Sequence, residues 1–537
     1  MILQDKGGFI GMISNRNRRS WLICTGVMLL LAVMALSGCA SNKTSDSSGK
    51  GENASAQQTA TDKKLVMAYT WKPSGVDPHG DNSWDVMRSG AGETLVRLNG
   101  KLEPVAWLAK EWKQDSPTVW TFSLQDKVTF HDGKSMDAAS VKASLLRSIE
   151  KSHLAKDLLN VKSIDVSGPL ALKITTNQPN AALVSNLADP STIVLDVASM
   201  KDEQSYPAMT GAFKIKAFNK DQSLVVERYD GYWGEKARLA EATMKFITDG
   251  NSRLMALQSG EVDVATDIPV DNAEVLKKSD KLQVLSAPSL RTHMIVYNME
   301  SPVFKDAANR KVVDSLIPRT SIVSAVMRGF GTEASSPFPS ILPFGKVERK
   351  ALDGTAEQLL TKDGWQKDAQ GTWTKQGKPF EVTLLTFPQR PELSVMAEVI
   401  QSQLLKEGIQ VKIRKVENID EALTKNDWDF AMYSMLTAHT GEPQYFMDMF
   451  YSSKSEANVS RYSSKPLESI LNSLKLAKDT AQRNAMTLQA LDIINTDLPQ
   501  SFIVHPDNVF GVKKGVEGFT PHPIEYYYIT VQSDIAE

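Results

Sequence analysis

The chain has 537 residues, 42% of them hydrophobic, with 61 basic against 63 acidic side chains and a formal net charge of −2. A balance so close to neutral excludes the electrostatic footprint of a nucleic-acid partner, and the length exceeds what one core serves, so two or three domains or lobes are expected. Cys24 and Cys39 are the only cysteines, which excludes a disulfide-stapled scaffold.

Arg16, Arg18 and Arg19 precede the apolar run Trp21 to Leu36, which ends at Ser37-Gly38-Cys39. A basic patch, a short apolar region and a small-residue cleavage site describe a secretory signal peptide over residues 1–38. Leu36-Ser37-Gly38-Cys39 resembles a bacterial lipobox, which implies that Cys39 carries the lipid and becomes the mature N-terminus. Without the four basic residues and one acid of residues 1–38, the mature chain keeps 57 basic and 62 acidic residues, net −5. Residues 39–62 hold almost no large apolar side chain and read as a flexible tether.

Lys64 to Tyr69 predicts a first strand, Asp77-Pro78-His79-Gly80 a turn, and Trp84 to Gly92 a helix. A strand over Thr94 to Leu98 ends in the hairpin turn Asn99-Gly100, and Pro104 to Trp112 suits a short helix with proline near its start. Trp120 to Leu124 alternates as a half-buried strand, and Val128 to Lys134 follows as a second strand closing in a turn. Ser135, Asp137 and Ala138 open a helix with Val141, Leu145, Leu146 and Ile149 on one face. Leu170 to Ile174, Phe213 to Ile215 and Leu224 to Arg228 read as further strands. Alternation of strand and helix along the chain predicts an α/β fold.

Trp120 to Leu124 followed by Phe130-His131-Asp132-Gly133-Lys134, Gly211-Ala212-Phe213, Asp230-Gly231-Tyr232-Trp233-Gly234, Gly260-Glu261-Val262-Asp263, Trp428-Asp429-Phe430 and Gly441-Glu442-Pro443 occur in the order that characterises one family. Together they resemble the peptide/nickel family of solute-binding lipoproteins of ABC transporters. The segments around Trp71 to His79, Glu93 to Val96, Trp107 to Trp112 and Gly441 to Tyr445 resemble its nickel-type branch most. The motifs read as scaffold: glycines for sharp turns, aromatics for buried area, and Gly260 to cap a helix before a strand.

The resemblance implies a two-lobed periplasmic-binding-protein-like fold with a hinge, divided as 63–285 (lobe I), 286–505 (lobe II) and 506–537 (a return to lobe I). It implies no enzyme and no permanently bound cofactor. The cargo is then nickel, or a related divalent metal, chelated by histidine or an opine-type metallophore. The implied partners are ABC permease subunits, with the protein a monomer held on the outer side of a bacterial cell membrane by its lipid. An enterobacterial member carries an Arg–x–x–Trp pair where this chain has Ala155-Lys156-Asp157-Leu158, and a clamping arginine near Asp189-Pro190-Ser191 is also missing. The chelate must be held by other contacts.

The seven histidines, at 79, 131, 153, 293, 439, 505 and 522, match no compact metal motif. An imidazole donor must therefore reach the cleft from separate segments, and imidazole suits nickel. His505 and His79 are the expected metal ligands, from segments that border the ligand in the family layout. Coordination needs a neutral ring, so binding is expected to weaken as pH falls through roughly 6.5. His439 stands on the loop before Gly441, while His131 reads as structural. Arg88, Arg461 and Arg147 are candidates to pair with cargo carboxylates, and Trp71, Tyr433 and Tyr445 are candidate walls. An oligopeptide- or dipeptide-binding protein of the same fold is the alternative. A secreted hydrolase has no Gly-x-Ser-x-Gly elbow or metalloprotease helix to support it.

Overall fold

Leu65 and Met67 of the strand Lys64–Tyr69 are buried on one side, and the strand runs parallel to Glu241–Phe246, pairing Lys64 with Glu241 and Tyr69 with Phe246. The computed structural model describes residues 63–201, 205–477 and 479–536. The signal peptide, the lipidated Cys39 and the tether expected over residues 1–62 lie outside the described residues. From Lys64–Tyr69 the main sheet extends one way through Glu241–Phe246, Ser223–Arg228 and Phe213–Asn219. The other way it passes through Val264–Ala265 and the long strand Gln500–Lys513 to Arg291–Tyr297, Phe430–Leu436, Glu381–Thr386 and Gln410–Lys415.

Gln500–Lys513 belongs to both halves of this sheet. Gln500, Ser501, Phe502 and Val504 pair with Arg291–Tyr297, whereas Asp507 to Lys513 pair with Leu282–Pro288. The chain thus crosses between the halves at two adjacent places, after Pro288 and at Pro506. Neither proline can donate to the ladder, and the crossings are tied by Ser289 N donating to the Pro506 carbonyl at 3.3 Å. Gly331 stands against the crossing strand so closely that a Cβ there would lie 2.7 Å from the His505 carbonyl.

A separate four-stranded sheet has the order Ala109–Ser116, Val119–Leu124, Ala171–Thr176, Val161–Gly168. The helix Ala138–Lys151 packs on it, started by a capping box between Asp137 and Ser140. The helix Pro391–Lys406 covers the second half of the main sheet and buries Leu393, Met396, Ala397, Ile400 and Leu404, a stripe at helical spacing. Each of the Leu, Met and Ile side chains among them contributes about 1.5–3 kcal/mol relative to exposure.

Three local expectations are corrected. Pro104 to Trp112 is extended: Pro104–Ala106 pairs with Val96–Leu98, and Ala109–Ser116 is an edge strand against Val119–Leu124. Val128 to Lys134 forms only the single bridge Thr129–Ser135 around a turn in which Gly133 N donates to the Phe130 carbonyl. Leu146 faces outward, 43% exposed, while Val141 and Leu145 carry the buried face. The Gly231-Tyr232-Trp233-Gly234 segment also does more than bury area. Tyr232 Oη and Trp233 Nε1 donate to the two oxygens of buried Glu93, at 2.7 and 3.0 Å. Burial pushes that carboxyl up to about 7 against these bonds.

Candidate functional site

A cavity of about 590 Å³ opens between two remote parts of the chain, residues 157–186 and residues 444–483. Asn160, Asn186, Gln444, Tyr445, Asp448 and Arg483 are among its lining residues. The loop Thr437 to Pro443 leads into the lining residues Gln444 and Tyr445, and Gly441, at φ +76°, turns it tightly against Leu102; a Cβ there would stand 2.6 Å from the Leu102 carbonyl. The loop is docked on the opposite wall by Thr440 Oγ1 donating to Asn186 Oδ1 at 3.1 Å and Ser185 Oγ donating to Glu442 Oε1 at 3.4 Å. Arg483 pairs with the other oxygen of Glu442 at 2.5 Å.

His439, 5% exposed, sits edge-on to Tyr445 with ring centroids 4.9 Å apart. Its Nε2 stands 3.5 Å from Asp189 Oδ2, too far for a good hydrogen bond, and has no hydrogen-bond partner. Burial lowers the affinity of the ring for a proton, against the pull of Asp189, which favours the neutral imidazole. Tyr526 Oη donates to the His439 carbonyl at 2.8 Å and packs edge-on against Trp84 at 4.9 Å. The Arg88 guanidinium lies over Trp84 at 5.2 Å. Chained contacts thus lead from the cavity to the crossing between the sheet halves.

Charges from both halves meet at that crossing. Arg88 donates from Nε to the Glu525 carbonyl at 2.8 Å and from Nη1 to Tyr69 Oη at 2.6 Å. The Glu525 carboxylate accepts from Ser289 Oγ at 3.1 Å and stands 3.5 Å from Arg88 Nη2 and 3.6 Å from Arg291 Nη2. Across the gap, Arg390 lies over the Trp71 ring at 5.6 Å. His293 and Glu392 face each other at 3.4 Å. The buried neighbour His293 and the cation Arg390 help pull the Glu392 carboxyl down to about 2 against its burial.

The expected site residues are therefore spread over several places. Tyr445 lines the cavity, His439 packs behind it, and Trp71 belongs to the junction. Tyr433 donates to Asp420 at 2.8 Å and packs edge-on against Phe450. Arg88 is buried behind the junction and held by the Glu525 carbonyl and Tyr69. His79 is enclosed: its ring bonds the Ile193 carbonyl from Nε2 and Arg147 at Nδ1, both at 2.8 Å. Arg147 is committed to that ring and, through two bonds, to the Asp77 carboxylate. Arg461 bonds Asn298, Asn426 and the Val459 carbonyl and faces Glu300, so it anchors loops. His505 Nδ1 lies 3.0 Å from Thr292 Oγ1, whose own proton goes to the Pro337 carbonyl at 2.7 Å. Nδ1 of His505 is therefore the protonated nitrogen. His79 and His505 share no partner, and burial holds their rings down to about 4 and about 3. On the protein side the expected weakening near pH 6.5 therefore moves to lower pH. Among the described residues no three His, Cys, Asp or Glu side chains gather into a metal-holding group, and no helix is long and apolar enough to cross a membrane.

Sequence reasoning missed Arg291, Arg390 and Glu525. Their only signal was a charge within or beside a strand or at a helix start, which surface residues also show.

Residues 103–458 match the family described as bacterial extracellular solute-binding proteins, family 5 Middle. The nickel-binding protein NikA of Staphylococcus aureus is 30% identical over 510 residues, 94% of this chain and 97% of that protein. Its crystal structure in complex with Ni(L-His)2 superposes with a TM-score of 0.76 at 28% identity, covering 88% of this chain and all of that one. A nickel ABC transporter structure from Bacillus halodurans gives a TM-score of 0.75 at 32% identity over the same shares. The oligopeptide-binding protein AppA of Bacillus subtilis is 26% identical over 95% of this chain and 97% of its own.

Proposed function

Because the chain belongs to the bacterial extracellular solute-binding proteins of family 5, we propose that it captures a nickel chelate outside the cell and delivers it to an ABC permease. Two observations from relatives support the metal: the 30% identity to a nickel-binding protein and the Ni(L-His)2 complex of a 28% identical structure. Within this chain the supporting observation is His439, a buried imidazole with an unpartnered Nε2, packed against the cavity-lining Tyr445. Both ring nitrogens of His79 are bonded, whereas Nε2 of His439 is buried without a partner. A chelate brings most of its own donors, so one imidazole suffices to read the metal's open position, and Tyr445 provides an apolar wall.

Residues 63–285 with 506–537 then form one lobe and 286–505 the other, closing on the cargo about the crossings at Pro288 and Pro506. Cys39 carries the lipid that holds the mature protein, a monomer, at the membrane. Calorimetry of the mature chain with Ni²⁺ plus excess L-histidine, and separately with di- to pentapeptides, tests the cargo. Binding of the nickel mixture that drops at least tenfold in His439→Ala supports the reading, and peptide binding without nickel binding rejects it. Fractionation tests the anchor: Cys39→Ser accumulates as precursor or escapes to the medium, and recovery of that variant in membranes at mature size rejects lipidation.

A further inference from the structure

Phe330 lies by chain in the half 286–505, yet its ring is buried in the core of the other half. It is 7% exposed within a small apolar cluster whose other members, among the described residues, all come from 63–285 and 506–537. That cluster holds Leu254 and Leu257 of the helix Gly250–Ser259, Leu276 of the helix Ala273–Lys277, Ile268, and Val509 of the crossing strand. Lys277 places its ammonium 4.9 Å from the centroid of the Phe330 ring, again from the other half. A tight tongue delivers the ring. Arg328 at φ +52°, Gly329 at φ +80° and Gly331 at φ +146° put left-handed backbone on both sides of Phe330, which is unfavourable for a residue with a Cβ. A Cβ on Gly329 would meet nothing within 4 Å, so glycine there serves the backbone alone. The π-helical turn Ile322–Val326 leads into the tongue, a form that recurs at functional places in proteins. Gly329 N donates back to the Val323 carbonyl at 2.9 Å and Phe330 N to the Met327 carbonyl at 2.8 Å. Arg328 Nε also donates to Asp271 Oδ1 at 2.6 Å, but both side chains are exposed and the pair contributes little. The anchor is the ring.

We propose that Phe330 is a pivot pin, a side chain of one half lodged in the other, which lets the halves turn and keeps them from sliding or parting. The proposal rests on the division into two halves given above and is independent of which cargo they enclose. The position of the ring carries it. Directly after Phe330, Gly331–Glu333 pairs with Val504 to Pro506, and Asp507 N donates to the Phe330 carbonyl at 3.3 Å. The ring therefore enters the neighbouring core beside the crossing at Pro506, where a turn about the crossings displaces it least. Apolar burial is non-directional, so a seated ring tolerates a small rotation. Withdrawing it exposes the ring to water and leaves a cavity behind. The pin thus limits how many open forms the empty protein samples, all of which must close again on cargo.

Pulsed electron-spin distance measurements on the empty protein test this. The Cys39→Ser chain from residue 39 onward has no thiol, so spin labels attach only at introduced cysteines. Ala143→Cys on the helix Ala138–Lys151 and Ser402→Cys on the helix Pro391–Lys406, both exposed, read the distance across the halves. Ala143→Cys with Lys220→Cys, also exposed, reads a distance within one half. Phe330→Ala is expected to broaden the cross-half distribution and move its mean outward by more than about 2 Å, the scale of a rearrangement rather than of side-chain adjustment. Gly329→Ala keeps the ring and the core but strains the turn, and it is expected to shift the mean the same way, by less. Leu224→Ala empties a buried position inside one half and should leave both distances unchanged. An unchanged cross-half distance in folded Phe330→Ala overturns the pin, and so does an equal shift in Leu224→Ala, which would be general loosening. Where Phe330→Ala does not fold, Gly329→Ala decides: an outward shift supports the pin, and an unchanged distance overturns it. A shift of the within-half pair rejects the division into halves itself, and the pin with it.

Discussion

Glu93→Gln isolates one buried carboxyl as a determinant of how stability depends on pH. Glu93 is 1% exposed, and burial lifts its carboxyl from 4.5 to about 7 despite the bonds from Trp233 and Tyr232. At about 1.36 kcal/mol per pKa unit this gap corresponds to roughly 3 kcal/mol. The folded protein binds this proton more tightly than the unfolded chain does. The contribution is therefore fully present below pH 4.5 and is lost as pH rises through 7. Glutamine is neutral throughout and fits the same donors: its oxygen accepts from Trp233 Nε1 and its amide donates to the Tyr232 oxygen. Urea unfolding of wild type and variant at half-unit steps from pH 4.5 to 8 gives the difference directly, because the buried histidines contribute equally to both. The variant should gain roughly 3 kcal/mol on the wild type across that range. A difference constant to within about 0.5 kcal/mol, roughly a sixth of the expected change, refutes the argument that burial governs this carboxyl.

Gly211→Ala should lower stability by more than about 2 kcal/mol or prevent folding, since its Cβ would lie 2.4 Å from the Gly90 carbonyl and 2.5 Å from that of Ala91; an unchanged melting temperature contradicts this. Arg310→Met strands the buried carbonyls of Phe304, Asp497 and Leu498, all of which it now serves; chemical denaturation should register a loss of about 3–5 kcal/mol, and a loss under about 1 kcal/mol speaks against it. His79, held down to about 4 from 6.5 by burial, is neutral when folded, so its contribution is lost as pH falls from 6.5 toward 4. His79→Gln should flatten the acid limb of the stability curve by up to roughly 3 kcal/mol relative to wild type, and parallel acid limbs exclude that role.

The strands whose side chains alternate are legible in the sequence: Lys64–Tyr69, Val119–Leu124 and Ser223–Arg228 lie where the pattern places them. Gly260 ends its helix in the left-handed conformation as its position before a strand suggests. Pro104 to Trp112 was misread because Val105, Leu108 and Trp112 also fit a helical stripe. Pairing with Val119–Leu124 overrode that local period. The site was less legible for a different reason. Tyr445 and His439 follow from a motif, but the partners that give them meaning come from segments hundreds of residues apart. Asp189 takes its position opposite His439 through the tertiary fold alone. His79 and Arg147 illustrate the converse error. Their residue types suit a ligand, yet they satisfy each other and Asp77, and sequence alone does not show that two polar residues are already spent.

The prolines at the two crossings act on the sheet as a scored line acts on card. On one flank of Pro288 and Pro506 the ladder runs through Asp507 to Lys513, on the other through Gln500 to Val504 with one register shift, and Gly331–Glu333 pairs with Val504 to Pro506 at the line. At the line itself two amide donors are missing and two backbone rotations are locked by the rings. Bending there disturbs the three-residue pairing with Gly331–Glu333, whereas bending within Asp507 to Lys513 disturbs a ladder of seven paired residues. Closure of the lobes as proposed above would then turn about this line, with few torsions to carry it. A cargo of a different size alters how far the halves close, and not the direction in which they travel.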